Sequence, residues 1–174
     1  MNETVSLEVL AMKPEDLPDV DRIQTRAYDK AFVEDLAVFA DRLRRYPEGC
    51  AMCVADREAV GYLFSHPGRL ASPPALNRRL ANDDGATNDD CYFIHDIAVL
   101  PSHRGIGVAR RLIEHALRVA LKRGLTLVTL VSVQGSRGYW ERRGFQPVVG
   151  PEETLNHVRE SYGDAACYMV QRIV

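Results

Sequence analysis

The 174-residue sequence predicts a single α/β (α+β) domain, a mixed, mostly antiparallel twisted sheet flanked by helices in the order β-α-α-β-β-β-α-β-α-β-β. Three observations carry that prediction. Short apolar runs bounded by Gly, Pro, Asn and Asp alternate with stretches whose apolar residues repeat at helical spacing. Two of the runs, Cys50 to Ala55 and Val60 to Ser65, flank Asp56-Arg57-Glu58 and read as a hairpin. The composition, 46% hydrophobic and 26% charged, is that of a chain able to bury a full core.

Val5 to Ala11 alternates and gives a first strand. Lys13-Pro14-Glu15-Asp16 then opens a helix, with proline in the first turn and acids at the positive dipole end. Leu17, Val20, Ile23 and Ala27 form its apolar face. A second helix, Val33 to Tyr46, presents Leu36, Phe39 or Ala40, and Leu43, and Pro47-Glu48-Gly49 stops it. After the hairpin comes a segment from Pro67 to Asp90, rich in Pro, Asn, Asp and Gly, with a short helix expected from Ser72-Pro73-Pro74. So long a connection inside one domain points to function or disorder. Cys91 to Leu100 is the next strand, followed by a helix through Arg123 whose buried face is expected to be Ile106, Ala109, Ile113, Ala116 or Leu117, and Ala120. Lys122-Arg123-Gly124 ends it with cations and a left-handed glycine cap. Leu125 to Val133 is almost continuously apolar, as a central strand covered on both faces requires. A short helix from Ser136 to Arg143, a strand from Phe145 to Val149, a helical segment from Pro151 to Tyr162 and a last strand from Ala165 to Ile173 complete the chain.

Several function classes are disfavoured at this stage. A net charge of −2 gives no basic field for nucleic acid. Met1 to Val5 carries an acid and no apolar run, unlike a secretory signal, and no segment approaches the roughly 20 apolar residues of a membrane span. A cytoplasmic protein, monomeric or homodimeric, is expected. Cys50-x-x-Cys53 has no second pair to complete a metal site and lies in an apolar strand, so Cys50, Cys53, Cys91 and Cys167 read as structural thiols and no metal is expected.

The informative stretch runs from Cys91 to Ala109: a buried strand, a proline turn, then Arg104-Gly105-Ile106-Gly107-Val108-Ala109 at a helix start. Free backbone N–H groups and a positive helix end converge there, as a polyphosphate would require. A P-loop is excluded, because no Lys-Ser or Lys-Thr follows the glycines. A dinucleotide fold is disfavoured by Arg110 in place of the third small residue and by Ser132-Val133-Gln134 where a ribose-binding acid belongs.

The segment Arg104 to Ala109 matches [RQ]-x-x-G-x-[GA], and with Tyr139-Trp140-Glu141-Arg142-Arg143-Gly144-Phe145 downstream it resembles the acetyl-coenzyme A signature of the GNAT N-acetyltransferase superfamily. The element order is similar to that family over nearly the whole chain. The resemblance implies that the amides of Arg104, Gly105, Ile106, Gly107, Val108 and Ala109 wrap the coenzyme A diphosphate. It also implies that the pantetheine arm pairs with Ile97, Ala98 and Val99, one of whose N–H groups stabilises the developing oxyanion. Counting back from Arg104 aligns His95 with the family's glutamate base, and an imidazole suits proton transfer near neutral pH. Strand alternation places His95 with Phe93, Ile97 and Val99, and Asp96 on the other face. The family's usual acid, a tyrosine near the thiol, is replaced by Trp140, which is no practical acid; Tyr139 is expected to turn into the core, Tyr168 has no positional support, and water or coenzyme A itself is left as the proton source. The family's frequent asparagine is replaced by Val133 beside Gln134. His66, His103, His115 and His157 carry no assigned chemistry, and Asp83, Asp84, Asp89 and Asp90 read as a solvated acidic loop.

The implied function is acetyl transfer from acetyl-coenzyme A to a primary amine, on a small molecule or a peptide, by direct attack in a ternary complex. No cysteine or serine stands in a motif for a covalent nucleophile. The alternative is a sensor or subunit that binds acetyl-coenzyme A without turnover, an option that Trp140 keeps open.

Overall fold

The computed structural model describes residues 6–80 and 88–174. In chain order its elements are β1 (Leu7–Ala11), α1 (Leu17–Ala27), α2 (Leu36–Arg45), β2 (Cys50–Ala55), β3 (Glu58–Gly68), β4 (Cys91–Val99), α3 (Val108–Lys122), β5 (Leu127–Ser132), α4 (Arg137–Glu141), β6 (Gln146–Pro147), α5 (Glu152–Tyr162) and β7 (Cys167–Arg172). The strands form one sheet in the order β1-β2-β3-β4-β5-β7-β6. Only β4 and β5 run parallel; every other pair is antiparallel.

Helices cover both faces. Phe39 of α2 stacks on Phe64 at 4.5 Å and meets Tyr62 edge-on, so α2 lies over the even-numbered residues of β3. Gly61, on the opposite face, lies so close to Val108 and Leu112 of α3 that a Cβ would stand 2.7 Å from Val108 Cγ1. The main core lies between these layers, and Cys50 and Cys53 are buried in it. A second cluster of Phe93, Val158, Tyr162 and Tyr168 sits under α5, with Leu70 and Leu76 against it.

The structure moves several expected boundaries for identifiable reasons. The strand expected over Val60 to Ser65 extends to Gly68, because β4 pairs with it as far as Cys91; His66 is therefore a buried strand residue rather than a loop residue. No helix starts at Ser72-Pro73-Pro74. Instead the carbonyls of Ala71, Pro73 and Pro74 accept hydrogen bonds from Thr154, His157 and Tyr162 of α5, which fixes the segment as an extended cover. The face of α3 is also corrected. Its buried residues are Val108, Leu112, Ile113, Ala116, Val119 and Ala120, while Ile106 is 45% exposed, because the helix starts only at Val108 and Ile106 belongs to the turn before it. The strand expected from Phe145 to Val149 shrinks to two residues: Phe145 packs edge-on against Trp140, and Val149 is fully exposed. At the end of α3 the expected glycine cap is present, with Gly124 at φ +73 and Leu125 N–H donating to the Ala120 carbonyl.

Candidate active site

Two irregularities of the central strand make the site. The first is a splay. β4 and β5 pair only from Tyr92 to Ile94 against Val128 to Leu130, and beyond Ile94 the two strands part. A cleft of about 830 Å³ opens there, walled by Ile94 to Val99 on one side and by Val131, Val133, Gln134 and Tyr139 on the other. The second is a bulge. Phe64 opposes Asp96 while Ser65 opposes Ile94, so β4 carries one extra residue, His95. A bulge breaks strict alternation and re-aims side chains.

That bulge overturns the expected separation of His95 from Asp96. Both project toward α1 and α2: His95 reaches Glu34 and Arg42, and Asp96 reaches Tyr28 and Tyr62. They do not bond to each other, as expected, but for a different reason, since each has its own partners.

At the α3 end the site is made of backbone. Gly105 and Gly107 have φ of +81 and +100, a region that L side chains enter at a cost. Gly107 is the N-cap of α3, and the helix's own ladder begins with Arg111 N–H bonding the Gly107 carbonyl at 3.1 Å. The N–H groups of Val108, Ala109 and Arg110 thus precede the first ladder bond and point out of the helix mouth. Arg104, Gly105, Gly107, Val108 and Ala109 all line the cleft, joined by His103 and Arg110; Ile106 does not. A Cβ on Gly105 would meet nothing within 4 Å, so open space lies in front of the turn. Amides, a helix dipole and space fit a diphosphate.

Along the slot, Ile97 and Val99 are half-buried and Ala98 is buried. His95 is informative here: its side chain has 0% exposure, so the exposure of that residue belongs to its backbone. β4 therefore presents unpaired main chain to the cleft, as an added extended segment requires.

At the α1–α2 end the site is made of side chains. Glu34 Oε1 lies 2.6 Å from His95 Nε2, and its other oxygen accepts the Asn77 N–H at 2.6 Å. Arg42, wholly buried, donates to the Val38 and Arg78 carbonyls and lies 3.3 Å from His95 Nδ1. Since a guanidinium only donates, these partners assign the neutral His95 tautomer with its proton on Nε2, toward Glu34. Burial lowers the His95 pKa, offset in part by the Glu34 carboxylate. Burial also pushes Glu34 up, but His95, Arg42 and the Asn77 N–H together hold it below the usual carboxylate value. Behind His95, the His66 ring is fully buried at 6.1 Å, its Nδ1 on the Pro67 carbonyl and its Nε2 without a partner among the described residues, and burial drives its pKa down to about 3.

Both members of the aromatic pair on α4 border the cleft. Trp140 is 6% exposed and packs against Phe145, with one edge on the cleft. Tyr139 packs against the core, as expected, and also borders the cleft. It lines the cleft under the Arg143 guanidinium, 3.5 Å over its ring, and its buried hydroxyl has no hydrogen-bond acceptor among the described residues. Tyr168 spends its hydroxyl proton on the Leu70 carbonyl, and Asp90 accepts the Leu70 N–H. Asp83 and Asp84 lie outside the described residues.

Sequence reasoning missed Glu34, Arg42 and Tyr28. Glu34 was hidden because an acid before a helix reads as solvated, and only its position in the fold shows it 3% exposed.

A model of the acetyltransferase (GNAT) family matches residues 17–145 of the chain. The chain belongs to the GNAT acetyltransferase family. Among curated protein sequences no significant match is found. Solved structures show how widely this GNAT fold is shared. The loading GNATL domain of CurA from Lyngbya majuscula superposes with a TM-score of 0.73 at 13% identity, over 96% of this chain and 98% of that one. Ard1 from Thermoplasma volcanium gives 0.69 at 16% identity, over 98% and 99% of the two chains. Arabidopsis thaliana Naa50, in complex with the bisubstrate analogue CoA-Ac-MVNAL, gives 0.67 at 16% identity, over 99% and 100%. At such identities the likeness is one of fold. No helix among this chain's described residues is long and apolar enough to cross a membrane.

Proposed function

We propose that this protein transfers an acetyl group from acetyl-coenzyme A to a primary amine by direct attack in a ternary complex. The observation that carries the reading is continuity: one cleft joins the amide-rich mouth of α3, the unpaired main chain of β4 and the Glu34 carboxylate. The diphosphate is assigned to the amides of Arg104 to Ala109, and the pantetheine arm to Ile97, Ala98 and Val99, with Trp140 beside the thiol end. Acetyl-coenzyme A supplies an activated thioester carbonyl. An N–H of the β4 edge stabilises the charge that develops on its oxygen.

An amine with a reference pKa of about 10.4 must lose a proton before it attacks. We assign that proton to the Glu34–His95 pair, entering at Glu34, a residue that lines the cleft and whose carboxylate is held ionised. With both ring nitrogens partnered, His95 works from behind Glu34 rather than on the amine itself. Protonation of the departing thiolate is assigned to water, since the Tyr139 hydroxyl is buried and burial keeps its proton on. The acceptor's neighbourhood is Tyr28, Phe32, Leu76 and Tyr162, which suits an amine flanked by apolar groups, on a peptide or a small molecule.

The test is thiol release on mixing acetyl-coenzyme A with a panel of amines that includes peptide N-termini. Turnover is expected, with Glu34→Gln slower by about 100-fold or more and coenzyme affinity retained. Tight coenzyme binding with no turnover across the panel would favour the non-catalytic sensor, the reading that Trp140 supports.

A further inference from the structure

Asp96 lies at the bottom of the cleft, 9% exposed, between two tyrosines. Three short contacts join the group: Tyr28 hydroxyl to Asp96 Oδ1 at 2.6 Å, Tyr28 hydroxyl to the Ile97 carbonyl at 2.8 Å, and Tyr62 hydroxyl to Asp96 Oδ2 at 2.7 Å. Contacts this short are those of full hydrogen bonds, each with its own proton, since a proton shared between two acceptors leaves both contacts longer. The two tyrosines bring two, and the Ile97 carbonyl brings none. With an ionised Asp96, the Tyr28 oxygen would face one acceptor, carboxylate or carbonyl, lone pair to lone pair at under 3 Å. A third proton removes the conflict, and the carboxyl group is the remaining place for it.

We infer that below neutral pH Asp96 is a neutral carboxylic acid, donating its proton to Tyr28 so that Tyr28 in turn holds the Ile97 carbonyl in the strand that walls the cleft. The surroundings agree. The titratable and charged groups facing Asp96 are Tyr28 at the end of α1, Glu34 before α2, Arg42 on α2, Tyr62 on β3 and Tyr162 on α5. Burial, then the Glu34 charge, push the Asp96 pKa up to about 7, against the opposing pull of the tyrosine bonds and Arg42. Both tyrosine pKa values are raised well above 10, so neither hydroxyl gives up its proton first. The Arg42 guanidinium is committed to two carbonyls and to His95.

Asp96 is thereby a positioning residue. When it ionises, the Tyr28 proton turns to the carboxylate and the Ile97 carbonyl loses its donor. The consequence for the coenzyme rests on the acetyl-transfer reading; the protonation state does not.

Carbon-13 NMR of the full chain separates the two. The side-chain carboxyl carbon of Asp96, identified by its loss in Asp96→Asn, is expected to titrate with a midpoint of about 7. A carbon already at its ionised position near pH 5, about one unit above the reference value of about 3.9, overturns the inference. Should the variant fail to fold, sequential assignment of the wild type gives the same titration. Coenzyme A titration then tests the positioning role. Wild type should lose affinity several-fold between about pH 6 and about pH 8, and Asp96→Asn, which copies the neutral acid's donor and acceptor, should match wild type at the lower value and stay flat. An Asp96→Asn protein several-fold weaker at the lower pH contradicts the role. If coenzyme A binds neither protein, the acetyl-transfer reading fails while the carbon titration still decides the proton.

Discussion

At the α3 end of the cleft the polar groups are main-chain amides on one unbroken stretch, Arg104 to Arg110, whereas at the α1–α2 end they are side chains gathered from β4, from the segment before α2 and from α2 itself, tied to the backbone of Asn77 and Arg78. The first end depends on what is absent, a Cβ at Gly105 and Gly107. The second depends on what is present, hydrogen bonds and nearby opposite charges that compensate buried groups. Each end should therefore fail under the opposite kind of substitution.

The largest effect is expected at the side-chain end. Arg42→Ala removes a wholly buried guanidinium and strands Glu34, so a loss of about 3–5 kcal/mol in denaturant unfolding is predicted. A loss below about 1 kcal/mol would mean that the cluster is solvated. At the backbone end, Gly107→Val forces a β-branched residue to φ +100, and coenzyme A affinity measured by calorimetry should fall at least tenfold. If instead Gly107→Val binds normally, the cradle lies elsewhere.

A pH response is expected from the side-chain end. His66 has its pKa lowered from 6.5 to about 3, so the folded protein stays neutral there while the unfolded chain takes up a proton. The stability it contributes is complete above pH 6.5 and is lost as pH falls toward 3, at up to about 1.4 kcal/mol per pH unit. His95, also lowered, adds in the same direction. Urea unfolding of His66→Phe at several pH values should show a shallower acid slope than wild type; an unchanged slope contradicts the assignment. The smallest effect is at Ile106, exposed in the turn. Ile106→Ser should change stability by under about 0.5 kcal/mol and leave coenzyme affinity as it was, because any contribution there is made by its amide.

The same contrast explains what could be read from the chain before its structure. The α3 end is local: Arg104-x-x-Gly107-x-Ala109 places every amide by its own spacing, and the strand before it and helix after it are both legible in hydrophobic period. The α1–α2 end is not. Glu34 and His95 are 61 residues apart, and nothing in either neighbourhood announces the other. The bulge at His95 defeats the two-residue alternation that put Asp96 on the opposite face, because one inserted residue turns both side chains toward α1 and α2. A similar limit applies to Tyr139 and Trp140. Helical spacing ranks which is more buried only once the axis of α4, a helix of five residues, is known.

The central claim is that the amides at the mouth of α3 hold an anionic ligand. Amide NMR during titration with coenzyme A tests it directly. The account predicts the largest shift changes at Gly105 to Ala109, with slowed exchange of those protons and smaller changes along Ile97 to Val99. Changes centred instead on the groove between Leu7 to Leu10 and Arg111 to Arg118, or none at saturating ligand, would contradict it.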